Sequence, residues 1–266
     1  MRGSPGPTDQ NNASVSSADG GMAAGSPITV GRYLLATLQL HQLPATEASD
    51  LDDGGHPWSL FDLRIWTERL ELRLPTEIEL VQLLELARAG VHEPHEMPFG
   101  FAWTDQPSPQ FERSFMQYHW STRAQWSPQN WSLDLGVWTE GTLVGTQGVG
   151  AKEFAVLRTV STGSWLGGPF QGQGIGKEMR SAVLGFAFDH LGAEWATSGA
   201  FTDNPASAAV SRSLGYEEDG LDRLAPRGEA KELVRYRMTV EAWHSRERPH
   251  VEVAGLEQSL DLFGIG

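Results

Sequence analysis

Six residues, Gln171-Gly172-Gln173-Gly174-Ile175-Gly176, concentrate glycine at a point where the chain can do chemistry. Before them, Ser161 to Gly167 reads as a strand. After them, Lys177 to Leu191 repeats apolar residues at helical spacing through Met179, Val183, Leu184, Ala187, Phe188 and Leu191, and Gly192 can end that helix. A glycine-rich turn feeding a helix aims free backbone N–H groups and the positive end of the helix dipole at one spot, where phosphate binds. Two familiar phosphate patterns fail here on particular residues. A dinucleotide fingerprint counted from Gly172 and Gly174 meets Lys177 where its third glycine belongs. A triphosphate loop would need glycine at Gln171 and a hydroxyl at Glu178. By composition alone, the glycines also fit a plain tight strand-to-helix turn.

A second pattern lies downstream. After a strand-like run from Ala193 to Phe201, the residues Asn204, Ser207, Val210, Gly215 and Tyr216 fall on N-x-x-[AS]-x-x-[VL]-x-x-x-x-G-[FY]. Asn204 can cap this helix, Pro205 can occupy its first turn and Gly215 can break it. Gln171, Gly174 and Gly176 in turn satisfy Q/R-x-x-G-x-G/A. Together the two patterns resemble the GNAT superfamily of acyl-CoA-dependent N-acyltransferases. Thr67 to Arg73, followed by an apolar-periodic helix, resembles its ribosomal-protein N-terminal acetyltransferase branch. His92-Glu93-Pro94, Met97-Pro98-Phe99, Trp103-Thr104, Gly163 to Gly167, Glu178-Met179-Arg180 and Gly220 to Arg223 look like an actinobacterial subgroup that includes a mycobacterial succinyltransferase.

The resemblance implies an α/β GNAT fold: a mixed, mostly antiparallel sheet, splayed at the cofactor site and flanked by helices. It implies acetyl-CoA or succinyl-CoA as co-substrate. Gln171, Gly172, Gln173, Gly174, Ile175, Gly176 and Lys177 would grip the diphosphate, and Ser164, Trp165, Leu166 and Gly167 would pair with the pantetheine amides. Asn204 and Ser207 would add polar contacts, and Arg212 would reach a phosphate or remain a solvated helix charge. Backbone N–H groups near Trp165 and Leu166 are the expected oxyanion donors. Where many members carry a tyrosine to meet the departing thiolate, this chain has Ser211, which is the candidate for that role. An attacking amine must also lose a proton, since an amine with a pKa of about 10.4 is almost wholly charged at neutral pH. Glu153 is the first candidate base, ahead of His92, His95 and His119. On the acceptor side the expected residues are His92, His95, Trp103 and Tyr118, with Trp120 and Trp126 nearby. A succinyl group would further need a cation, for which Arg123, Arg158 and His92 are available.

These residues require particular elements to hold them. Residues 1–27 are rich in Ser, Gly, Ala, Asp and Asn and are expected to be a disordered tail. Residues 28–57 read as a short amphipathic helix, Ile28 to Leu43, and a linker; the helix packs on its own chain or serves a partner or homo-oligomer contact. Residues 58–266 are expected to form the acyltransferase domain. In it, Phe61 to Leu74 reads as a strand or hairpin broken near Thr67, and a helix starts at Thr76 and ends near Gly90. A loop rich in proline, glycine and aromatics leads to a helix over Phe111 to Trp126. Strands follow at Trp131 to Thr139, Thr142 to Lys152 and Val156 to Gly167, with a late strand around Arg235 to Thr239; Val251 to Gly266 is ambiguous.

Composition narrows the function classes. No cysteine occurs among the 266 residues, which excludes disulfides, thiolate metal sites and a cysteine nucleophile, so acyl transfer would be direct. No metal site is expected. With 34 acidic against 20 basic side chains, a net charge of −14 opposes nonspecific nucleic-acid binding and suits an amine acceptor, whether a protein lysine, an N-terminus or a small amine. The chain shows no bilayer-spanning apolar run and no secretory leader, so a cytoplasmic protein without a membrane partner is expected. Two other readings stand beside the transferase: a non-catalytic acyl-CoA sensor, and a nucleotide-binding enzyme using the same loop.

Overall fold

Period-two apolar runs become one nine-stranded sheet in a computed structural model that describes residues 55–266. The expected tail at 1–27 and the expected helix and linker at 28–57 lie outside the described residues, apart from 55–57. The strands are β1 (Arg64–Trp66), β2 (Leu70–Arg73), β3 (Asn130–Thr139), β4 (Thr142–Lys152), β5 (Thr159–Leu166), β6 (Trp195–Phe201), β7 (Glu217–Leu224), β8 (Lys231–Thr239) and β9 (Glu252–Ala254). They lie in the order β7-β8-β6-β5-β4-β3-β2-β1-β9, and only β5 and β6 run parallel. A parallel pair needs a crossover, which the glycine turn and the helix after it supply.

The helices are α1 (Glu77–Arg88), α2 (Gln110–Ala124), the single turn α3 (Phe154–Leu157), α4 (Ile175–Gly185), α5 (Pro205–Leu214) and α6 (Val240–His244). None is long and apolar enough to cross a membrane among the described residues. Successive strand residues face opposite sides of a sheet. Trp165 accordingly joins the apolar cluster of α1 and α2, whereas Leu166 joins the larger core beneath α4 and α5. Thr76 and Glu79 form a reciprocal cap on α1, and the Arg73 guanidinium on β2 holds the Glu79 carboxyl down to about 2, tying helix to sheet.

Three readings change. The expected strand from Val156 begins at Thr159, because Phe154 turns into the core and leaves Val156 and Leu157 exposed on a helical turn between left-handed Glu153 and Arg158. The single helix expected to Leu191 is α4 followed by a π-helical turn, Phe186–His190, whose Asp189 is held by Trp243, His244 and Arg248. Of β7 the sequence marks only the aromatic start after Gly215, because the rest is an edge strand with charged, exposed residues and no apolar alternation.

The feature that positions the site is a splay. β5 pairs with β6 only from Thr159 to Ser161, opposite Trp195 to Thr197, then keeps pairing with β4 as far as Leu166 while β6 follows β8 to Phe201. The β4 side is fixed by close approach: a Cβ at Gly145 would lie 2.2 Å from the Trp165 carbonyl oxygen and 2.9 Å from Leu166 Cα. Backbone cannot swing aside as a flexible side chain can. Gly145→Ala should therefore destabilise the fold by about 1–3 kcal/mol, read as a lower denaturation midpoint at unchanged slope; a wild-type midpoint would refute this β4–β5 contact.

Candidate active site

The turn 171–176 is built as an open cradle. Gly172 and Gly174 take left-handed φ values of 72° and 81°, which turn successive N–H groups to one side. The N–H groups of Gly172, Gln173, Gly174, Ile175 and Gly176 have no acceptor among the described residues, and no side chain caps α4. Those of Lys177 and Glu178 are already spent on the Gly174 carbonyl, 3.1 Å away in each case. Lys177 therefore brings only its exposed ammonium. Gln171 serves a different end from an anion grip: its amide nitrogen donates to the Val91 and Leu166 carbonyls, each at 2.9 Å, pinning the cradle to the end of β5.

A carboxylate in the first turn of α4 would compete with a bound anion. Glu178 is drawn away by the Arg69 guanidinium and the Thr67 hydroxyl. Beside the cradle at Gly174 a recess of about 930 Å³ carries both signs of charge, Arg69, Lys177, Arg246 and Arg248 against Glu68, Glu178, Glu247 and Glu252. Lys177 and Arg246 have no carboxylate partner among the described residues. Arg212, by contrast, does not line this recess and pairs with Glu218 at 2.9 Å on an exposed face. Its alternative reading, a solvated helix charge, is the one its position matches.

Along β5, N–H groups alternate between the two edges of the strand. The Gly167 N–H reaches Val144 of β4 at 3.0 Å, so that of Trp165 also points to β4, while those of Ser164 and Leu166 point into the splay. Of the N–H groups near Trp165 and Leu166, those of Ser164 and Leu166 are the ones that face the splay. Asn204 spends its side-chain oxygen on the Ser207 N–H at 3.0 Å, as the cap it was expected to be.

Ser211 is fully buried on α5, and Arg180 of α4, only 5% exposed, donates to its Oγ at 2.9 Å. Arg180 also approaches Ser164 Oγ at 3.5 Å. Its Nε has no partner, and no carboxylate pairs with it among the described residues. Tyr216, likewise buried, is its other polar neighbour, and burial lowers the Arg180 pKa without discharging an arginine. In the sequence this arginine stands out only within the Glu178-Met179-Arg180 block, because nothing in a helical pattern shows that a charge on the buried face lacks a counterion.

On the opposite face of β5 a cavity of about 420 Å³ opens between the sheet and α2. Phe99, Phe101, Trp103, Phe111, Phe115 and Trp165 supply its aromatic walls. Tyr118 lines it and donates to Asp134 Oδ2 at 3.2 Å, and Ser132 donates to the same oxygen at 3.3 Å. Burial raises the Asp134 carboxyl above its ordinary range, against the two hydroxyls and the more distant Arg123. His119 is buried in the wall and burial pushes it down to about 4, so it is neutral at ordinary pH.

Several expected residues stand elsewhere. Glu153 sits in an exposed turn and does not line the cavity; Asp134 is the carboxylate that does. His92 is engaged with the Glu93 carbonyl and Thr104, both at 2.8 Å, and His95 is exposed with its carbonyl facing Arg227. Both brace the loop over the cavity and neither lines it. Trp120 bonds to Glu77, and Trp126 packs in the main core against Trp131. Trp103 and Tyr118 do line the cavity. Arg123 is tied to Glu77 and Arg158 to the Leu191 carbonyl, so neither is free to meet a distal carboxylate.

A family model described as an acetyltransferase (GNAT) domain matches residues 69–217, more than half of the chain. Solved structures share the fold. Mycobacterium smegmatis RimJ in complex with CoA-disulfide aligns with a TM-score of 0.55 at 17% identity, over 70% of this chain and 93% of that one. A RimL ribosomal L7/L12 alpha-N-protein acetyltransferase in complex with coenzyme A aligns with a TM-score of 0.52 at 18% identity, over 66% and 97%. A spermidine N-acetyltransferase chimera from Vibrio cholerae and hSSAT aligns with a TM-score of 0.52 at 16% identity, over 67% and 100%.

Proposed function

The chain belongs to the GNAT acetyltransferase family and so is an N-acyltransferase that draws on an acyl-CoA, and we propose that it moves an acetyl group from acetyl-CoA directly onto a primary amine held in the aromatic cavity. One observation carries this reading: β5 adjoins every part of the machinery. Its end is pinned to the open cradle through Gln171, its free edge borders the splay, and Ser161, Gly163 and Trp165 on its other face line the cavity.

Bound acetyl-CoA supplies the acetyl group as a thioester; the rest is done by this chain's residues. The N–H groups of 172–176 take the diphosphate, and Lys177 and Arg246, the cations of the recess without a carboxylate partner among the described residues, suit the remaining phosphate of a nucleotide. The Ser164 and Leu166 N–H groups are aimed where negative charge develops on the carbonyl oxygen. Asp134 accepts the proton that the amine loses. Ser211, accepting from Arg180, keeps its own O–H for the departing sulfur. Acetyl is preferred to succinyl because, among the described residues, no lysine or arginine lines the cavity to meet a second carboxylate. A cytoplasmic enzyme is part of the same proposal.

Thiol release from acetyl-CoA in the presence of amines tests the reading. The protein has no cysteine, so every thiol that appears comes from the co-substrate. Amine-dependent release, faster with acetyl-CoA than with succinyl-CoA, is expected. Tight acetyl-CoA binding without release for any amine would make the chain a binding module instead.

A further inference from the structure

The charges around the cavity identify its occupant more narrowly than "an amine". Among the described residues Asp134 is the only acidic one in the lining and no lysine or arginine lines it, and His119 is neutral. Asp134 has no cationic partner among the described residues, since Arg123, the nearest candidate, is bonded to Glu77 and the Pro75 carbonyl. Its two hydroxyl donors, at 3.2 and 3.3 Å, are long for bonds to a carboxylate. A half-buried carboxylate served only by long hydroxyl contacts gains when a cation joins it.

The floor is shaped to let one in. Asp134 on β3 stands opposite Gly148 on β4, which stands opposite Gly163 on β5. A Cβ at Gly148 would lie 2.8 Å from Asp134 Oδ1, so glycine leaves the carboxylate uncovered, and a Cβ at Gly163 would meet nothing within 4 Å. The two glycines make a clear strip from Asp134 to the strand that borders the splay. Above it, the loop carrying Phe99, Phe101 and Trp103 is braced from the β7–β8 hairpin. Arg227 grips Asp105 and the Pro94 and His95 carbonyls, and Lys231 holds the Met97 carbonyl. A braced aromatic roof favours a small molecule over a polypeptide.

We infer that the acceptor is a small primary amine with one positive charge on an apolar or aromatic body, such as an arylalkylamine, its ammonium drawn to Asp134 and its body held by the aromatic walls. The inference deepens the acetyl-transfer reading and rests on it for the reaction. The ammonium first gives one proton to Asp134; the freed amine nitrogen then bonds to the thioester carbon, the carbon–sulfur bond breaks with its electron pair on sulfur, and the second nitrogen proton goes to that sulfur, leaving a neutral amide and a free thiol. The amide product is neutral, so the attraction that held the substrate ends with the reaction. A polyamine would leave a second ammonium unpaired among aromatics, and an amino acid would set its carboxylate against the same walls without a partner.

Calorimetric titration of amines into the CoA-loaded protein tests the class without requiring turnover. 2-Phenylethylamine should bind at least about 10-fold more tightly than spermidine, phenylalanine or a short peptide with a free N-terminus. Asp134→Asn should weaken 2-phenylethylamine about 30-fold or more while the thermal shift given by CoA is kept. Gly148→Ala, which covers the carboxylate without removing it, should weaken the same amine in the same direction. Preference for the polyamine or the peptide, or unchanged amine affinity in Asp134→Asn, overturns the inference. Thiol release with those other amines would leave the transferase reading standing while this one falls. Binding of 2-phenylethylamine without thiol release for any amine would sink the transferase and keep the ligand class.

Discussion

Replacing Arg180 with methionine is expected to slow turnover about 100-fold or more with little change in the KM for acetyl-CoA, and to leave the protein as stable as before or more so. The two halves of this result separate function from architecture. Arg180 is 5% exposed, and it has hydroxyl partners but no carboxylate among the described residues. An arginine kept only to join α4 to α5 would be a poor device, because burying an uncompensated charge costs several kcal/mol and an apolar side chain of similar shape serves as well or better. The charge has a use if negative charge appears beside Ser211 during the reaction. The direct readout is the thiol of bound CoA, followed by ultraviolet difference titration, in which no protein thiol competes because the chain has no cysteine. It should titrate below the roughly 8.5 of an ordinary thiol in the wild type, and about one unit or more higher in Arg180→Met. Ser211→Ala should likewise slow turnover more than it weakens cofactor binding. Equal thiol titrations in wild type and Arg180→Met would remove Arg180 from the reaction, and a large loss of stability would assign it to the fold.

Gly174→Val is expected to cost about 30-fold or more in CoA affinity while the protein stays folded. The residue has φ 81°, a conformation that a β-branched side chain strongly resists, and it stands in the middle of the five free N–H groups. The space itself is open: the nearest atom to a Cβ there is Arg69 Nη2 at 3.6 Å, so no backbone is struck. The valine would thus re-aim the amides and stand over them without dismantling the core. Gly228→Val is the matched control, since Gly228 has φ 83° in the β7–β8 hairpin with nothing within 4 Å. Both variants should lose a similar small amount of thermal stability, and only the first should lose CoA, measured by calorimetry. Full affinity in Gly174→Val would take the cradle out of the mechanism.

The charge of −14 complements this machinery at longer range, because a negative field raises the local concentration of a cationic acceptor. That effect is screened by salt, whereas pairing inside the cavity is screened much less. The ionic-strength dependence of kcat/KM therefore reports encounter, and Asp134 reports recognition.

Legibility in the sequence followed the distance over which each feature is encoded. The cradle, its strand and helix, the Asn204 cap, Pro205 and the Gly215 stop are local, each fixed by φ preference or hydrogen-bond geometry within a few residues, and each could be read from spacing. Trp103 and Tyr118 were legible as aromatic candidates because large side chains must be placed somewhere. The position of Glu153 near the cofactor strand is visible in the sequence, whereas its outward direction depends on its left-handed backbone and on Phe154 turning inward. Asp134 sits in an alternating strand where a polar residue reads as solvent-facing. Only the packing of α2 across β3 encloses it, and only Gly148 across the ladder leaves it open.

By itself, then, the order of residues determined an anion-binding turn, the family's sheet-and-helix plan and an acidic, cysteine-free chain suited to direct acyl transfer. Tertiary structure alone decided where two charges of the site without a counterion among the described residues stand: Arg180 beside Ser211 and Ser164, and Asp134 in the aromatic cavity across β5. The physical reason is that a motif records the conformation of neighbours along the chain. Whether a charge has a counterion depends on which distant segments pack against it and what they carry.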